Sequence, residues 1–377
     1  MPTRREIIGL TAAVPVLALL GGCAEGPDVA AAWRNPGRGE ADIRRWALAH
    51  AILTPNPHNK QPWLVQLAGT DGLILRPDLT RMLPATDPFN RQITVGCGAF
   101  LELLAMAAAE KGWRIDTTLW PEGEPQPRLD SRPVATVRFV RDATVKPHAL
   151  FRHVLARRTN RMVYDESRTP SPEALTALQT AARPLVTAGA SSDPARRDRL
   201  RALTAKAFLA EADASEPHRE NVINTRIGAA EIAKNRDGLM LSGAAIEIGS
   251  RLGLVSRDKF LDRQSFAFDQ FRAAGQPWTD SSMAFAWLAT ATNNRTDQIE
   301  AGRAYLHLAL LAVQEGLALQ PMSQGLQEYP ELAAILPRIE QELGVADPGR
   351  VQMLVRLGYA DPVPPTPRRG INPIIIA

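Results

Sequence analysis

Three short stretches carry the residue types that chemistry needs. Residues 53–63 read LTPNPHNKQPW. Pro55, Pro57 and Pro62 fix φ and bias their predecessors to extended geometry, so this stretch is a stiff loop and not a helix. It presents Asn56, His58, Asn59, Lys60 and Gln61. Residues 157–164 read RRTNRMVY, in which Arg157, Thr159 and Arg161 alternate. Alternate residues of an extended chain project the same way. Two guanidinium forks and a hydroxyl are the donors a dianionic phosphate asks for. The third stretch, 367–369, adds Arg368 and Arg369 behind a proline. Each has a blander reading. The arginines fit a solvated turn, His58 a surface position, Trp63 a core anchor, and Gln61 can satisfy the loop's own backbone.

Composition removes several alternatives. The 377-residue chain is 45% hydrophobic and carries 44 basic and 40 acidic residues. That is a globular composition with length for two packed halves. A net charge of +4 without a Lys/Arg block interleaved with aromatics does not point to nucleic acid. The six histidines are scattered, so no metal site is expected. Cys97, on an apolar stretch, reads as a buried small hydrophobe.

The opening MPTRREIIGLTAAVPVLALLGGC has a basic start, an apolar run and small residues, the pattern of an export signal over 1–23. Thr3-Arg4-Arg5 resembles a twin-arginine signal. Leu20-Gly21-Gly22-Cys23 looks like a lipobox, which makes Cys23 the lipidated residue and the membrane anchor. An ordinary cleaved signal is the alternative. These features imply an exported, periplasmic or cell-envelope protein, with 24–41 as a tether.

The elements that must position the polar stretches are legible from periodicity. Ile43, Trp46, Ala47 and Ala51 recur at helical spacing, so a helix runs into the 53–63 loop. WLVQL and LILRP flank AGTDG as a hairpin. GAFLELLAMAAAEKG (98–112) is apolar nearly all round, hence a buried helix, and WRIDTTLW and VATVRFV read as strands. AGRAYLHLALLAVQEGLAL (301–319) repeats the buried helix: Gly98 and Gly112 are spaced as Gly302 and Gly316 are. The repeat predicts two related α+β halves, 42–145 and 146–377, packed across their long helices. Residues 195–297, broken by Gly238, Gly243, Gly253 and Pro277, form a mostly helical insertion, either a lid or plain packing.

These stretches together resemble the nitroreductase family of flavin enzymes. Arg157-x-Thr159-x-Arg161 is similar to its Arg-x-Ser-x-Arg/Lys motif, which implies that these three residues hold the phosphate and pyrimidine side of FMN. The 55–63 loop resembles the family's P-S-S-x-N-x-Q-P-W, with Asn56 and Pro57 standing where serines are usual. It implies that Asn56 and Asn59 reach the flavin edge. Residues 316–324 resemble the segment whose backbone approaches flavin N5 and O4, here Met322, Ser323 and Gln324. Pro367-Arg368-Arg369 resembles the C-terminal arginine that closes on the phosphate.

The order of motifs is most similar to the Acg-like branch, in which two family units are fused in tandem. Arg81-Met-Leu-Pro-Ala-Thr-Asp87-Pro88, Arg91 and Gly96-Cys-Gly-Ala are further matches, and the resemblance covers about 42–377. It implies a nitroreductase-like α+β fold with mixed sheets on long central helices, and one complete FMN site per fused pseudo-dimer. That unit is expected as a monomer or as a homodimer of itself.

The activity implied is a two-electron, ping-pong reduction of a small nitroaromatic- or quinone-like acceptor. A cation such as Arg161 would stabilise the reduced flavin, and no separate catalytic acid or base is expected. NAD(P)H is the family's donor, but it is scarce outside the cytoplasm, so the donor is open. A flavin-sequestering envelope protein without turnover, and a scaffold that has lost the cofactor, are the competing readings.

Overall fold

The computed structural model describes residues 28–377; the 1–23 leader, Cys23 and the start of the expected tether lie outside the described residues. Two sheets flank a pair of crossed central helices. The first sheet has the order β11-β1-β2-β4-β3. It is built from the hairpin β1 (Trp63–Ala68) and β2 (Gly72–Pro77) and the pair β3 (Trp113–Leu119) and β4 (Ala135–Arg141). All its pairings are antiparallel except that of the short β11 (Ile375–Ile376), which runs parallel to β1. The second sheet, β5-β8-β10-β9, is wholly antiparallel. It comprises β5 (Val186–Ser191), β8 (Ala284–Thr290), β9 (Ala318–Pro321) and β10 (Arg350–Gly358).

The two central helices, Arg91–Ala109 and Arg295–Gln314, cross at contact distance because glycine stands at each crossing point. A Cβ on Gly98 would lie 2.0 Å from the Ile299 carbonyl oxygen, and one on Gly302 would lie 2.0 Å from that of Val95. Backbone meets backbone there, so neither side can yield. Arg91 and Arg295, seven residues ahead of these glycines, are both about 1% exposed and bind carbonyl oxygens across the seam. The expected repeat is therefore physical as well as textual. The first helix is apolar all round because 89% of its most apolar window is buried. One continuous core runs through both helices, the first sheet and the inner face of the second.

The structure revises two expectations at their edges. Within 195–297, Ala284–Thr290 is a strand of the second sheet rather than helix, because its Ala-Phe-Ala-Trp-Leu-Ala-Thr run is buried on both faces. The remainder is helical: Pro194–Asp213, Ser215–Asn224 and five short helices, with a small parallel ribbon of β6 (Thr225–Ile227) and β7 (Leu239–Leu241). The described part of the expected tether, 28–41, lies against the body of the protein. Ala31–Trp33 is a single 3-10 turn whose indole is buried.

Candidate anion and cofactor site

The 53–63 loop leaves the helix Ile43–Ala51, whose Asp42 caps its N-terminus, and enters β1. Prolines explain only part of its rigidity. His58, Asn59 and Gln61 all take positive φ, near 50°. For residues other than glycine this conformation costs of order 1 kcal/mol each and persists only where neighbours hold it.

Three segments supply the hold. Within the loop, Asn56 Oδ1 accepts from the Gln61 amide at 2.7 Å. From the C-terminal segment, Arg368 donates to the Ile52, Leu53 and Thr54 carbonyls and to Asn59 Oδ1, while the Arg369 amide and guanidinium bind Gln61. From the insertion, the Arg236 carbonyl accepts from Gln61 Nε2 and the Gly238 amide donates to the Asn59 carbonyl. Asp237 fastens that contact by pairing with Arg81 and Arg226.

Against this loop lies the segment 157–161, which belongs to no helix or strand. Asn160 pins it from behind, donating to the Asp361 carbonyl through its side chain and to Leu319 through its amide. A cleft opens between loop and segment. Its lining includes Asn56, Asn59, Arg157, Thr159, Arg161 and Arg368 from the expected set, together with Arg158 and Gly238–Met240.

Arg157 is buried, and its guanidinium donates one hydrogen bond, to the Leu53 carbonyl. Neither the Arg161 guanidinium nor the Thr159 hydroxyl bonds any described residue, so both are free to meet a ligand. Among the described residues no carboxylate pairs with Arg157, Arg158, Arg161 or Arg368. Burial pushes the Arg157 guanidinium down to about 10 and Arg368 well below its usual value, with neighbouring arginine charge adding to each.

Isolated buried cations are costly unless something anionic compensates them. Among the described residues, three buried polar atoms also lack partners: Thr54 Oγ1, His58 Nδ1 and the Tyr305 hydroxyl. Burial, reinforced by the Arg161 and Lys60 charges, pushes His58 down to about 3, so the ring is neutral. Burial pushes Tyr305 up to about 12 against the pull of Arg157 and Arg161.

Four expected residues fall outside the cleft lining. Met322 is buried in a second core cluster behind the sheet, and its amide is spent on the Leu354 carbonyl. Ser323 and Gln324 begin the adjoining 3-10 turn. Arg369 braces the loop instead of facing the cleft. Conversely, Trp33, Arg158 and Tyr305 were not expected. Tyr305 sits on a helix apolar enough to hide a single hydroxyl, and Trp33 stands in a stretch whose small, polar neighbours read as a tether.

Comparison with known proteins agrees with this architecture. No protein-family model matches the chain. Rv3131 of Mycobacterium tuberculosis, provisionally named an NAD(P)H nitroreductase, is 29% identical over 349 residues, covering 89% of this chain and 92% of its own length. The protein acg of the same organism, with the same provisional name, is 28% identical over 347 residues, covering 88% of this chain and 95% of its own. The FMN-dependent nitroreductase NfnB of Mycobacterium smegmatis, solved with NADPH, shares 20% identity over 56% of this chain and 86% of its own, at a TM-score of 0.34. The chain thus has an α+β fold with two mixed or antiparallel sheets and is similar along nearly nine-tenths of its length to two proteins provisionally named NAD(P)H nitroreductases.

Proposed function

We propose that this protein is an exported, FMN-dependent oxidoreductase of nitroreductase type that takes electrons from a donor and passes them to a small acceptor in ping-pong steps. The observation that carries the reading is the cleft's set of buried guanidiniums without carboxylates, contributed by the second half and the C-terminal segment against a loop of the first. Such a set needs an anion, and a phosphomonoester fits it.

FMN, when bound, supplies the two-electron chemistry. The protein's share is binding and electrostatics. Arg157, Thr159 and Arg161 hold the phosphate and the polar edge of the ring system, and Asn56 and Asn59 present amides from the rigid loop. Neutral His58 adds no charge. Residues 238–240 form part of the cleft wall.

The family's donor is NAD(P)H, and the two curated relatives carry that donor in their names. Such a donor is scarce outside the cytoplasm, so with export as part of the proposal a membrane-side redox partner is the donor we favour. Lipidation at Cys23 belongs to the same proposal. Labelled fatty acid should enter the wild-type chain and not Cys23→Ala; equal labelling of both would remove the anchor.

The docking of the insertion over the loop through Asp237 favours a second reading, a flavin-binding protein without turnover. The visible spectrum of the purified protein tests the cofactor: a colourless protein that also fails to take up added FMN ends both readings. Anaerobic addition of NADH, NADPH and dithionite separates them. Bleaching by a nicotinamide supports the enzyme, and bleaching by dithionite alone supports the binder.

A further inference from the structure

Trp33 lies far from every motif that points to the site, yet its ring is only 5% exposed and lines the cleft. Its indole Nε1 donates to the Thr366 carbonyl at 2.7 Å, which fixes the ring against the segment that carries Arg368. Three guanidiniums surround it. Arg158 stands 4.7 Å from the ring centroid, Arg368 5.2 Å and Arg157 5.7 Å. All stand over the ring, within the range in which a cation is attracted to an aromatic face.

Elsewhere in this protein crowded arginines are held by carboxylates, as Asp237 holds Arg81 and Arg226. A carboxylate at the cleft would gather the cations but would also neutralise them. An indole gathers them by its quadrupole and its flat surface while leaving their net charge intact.

We propose that Trp33 is a positioning residue of the anion site: it stands where a carboxylate would otherwise be needed, holding Arg157, Arg158 and Arg368 together with their charge available to a phosphomonoester. This rests on the anion-site reading above. It goes beyond that reading in assigning a function to the 28–41 segment, which the phosphate motifs do not include.

The experiment compares FMN, riboflavin and inorganic phosphate on the wild-type chain, Trp33→Phe, Trp33→Ala and Trp33→Glu. Affinity is read by flavin fluorescence, and anion binding by the rise in unfolding temperature with added phosphate. The expected result for Trp33→Ala is FMN binding weakened about tenfold, with riboflavin, which lacks the phosphate, little changed. Trp33→Glu should lose the phosphate response altogether, and Trp33→Phe should keep most of it.

Equal weakening of FMN and riboflavin would show that the ring merely shapes the cleft and would overturn the proposal. So would a Trp33→Glu chain that binds phosphate as the wild type does. If Trp33→Ala does not fold, the Phe and Glu variants decide by the same readouts. A wild-type chain that responds to phosphate but not to either flavin would end the flavin reading alone. One that responds to neither would end both.

Discussion

At the scale of single residues, the site separates groups that touch a ligand from groups that hold the others in place. Among the described residues the Arg161 guanidinium has no hydrogen bond to lose. Arg161→Ala should weaken FMN binding by about 10- to 100-fold, the worth of a charge-assisted hydrogen bond, while its unfolding midpoint stays at the wild-type value. Arg368 is the opposite case, because its guanidinium bonds three loop carbonyls and Asn59. Arg368→Ala should lose about 3 kcal/mol of stability together with cofactor. Denaturant titration beside a flavin titration distinguishes the two. A stable Arg368→Ala chain would show that the loop holds itself.

Another residue-scale device sits away from the cleft, where Glu102 accepts from His307 at 2.7 Å and pairs with Arg183 and Arg303. Burial alone would raise its carboxyl, but the His307 hydrogen bond and the three neighbouring positive groups outweigh it and hold the group at about 2. A depressed carboxyl stabilises the fold fully above its ordinary value near 4.5 and loses that contribution as pH falls toward 2. Glu102→Gln should therefore cost about 3 kcal/mol at pH 7, and the gap to wild type should close between pH 4.5 and 2 in urea titrations. A gap that persists at pH 2 would place the effect in packing.

At the scale of elements, the amphipathic and apolar patterns announced most of the fold. The helix before the loop, the β1–β2 hairpin, the β3–β4 pair and both central helices lie where periodicity put them, with ends shifted by a few residues. The strand Ala284–Thr290 was hidden, since a strand buried on both faces shows no alternation. The loop's rigidity was legible as proline content, but its run of left-handed residues was not, because Arg368 and the Gly238 amide hold Asn59 from a distance.

The crossing glycines give the element-scale prediction. Gly98→Ala and Gly302→Ala each drive a methyl into a facing carbonyl. Each should destabilise by about 1–3 kcal/mol or more, with a lowered unfolding temperature or loss of soluble protein. A neutral effect in both would mean that the helices can separate without cost.

At the scale of the molecule, two related halves do not make two equivalent sites. The unpaired guanidiniums at the cleft all come from residues 157–368, and the loop they face comes from the first half. Reconstituted protein should therefore bind one FMN per chain, measured as flavin absorbance against protein concentration. Two would require a second cation set that the described residues do not show. This asymmetry was readable in the sequence, because only one copy of each motif is present. The part played by the N-terminal segment was not readable, since a lone Trp33 has meaning only once Thr366 and the arginines stand around it.

The hydrogen bond from Trp33 to Thr366 joins points 333 residues apart in the chain. Order of synthesis then matters to the ligand: the aromatic wall is made 333 residues before the carbonyl that fixes it. No translation intermediate owns the whole binding surface, so cofactor retention doubles as a check on the polypeptide itself. A molecule that carries flavin has been read through from one side of that bond to the other and has brought the two sides home.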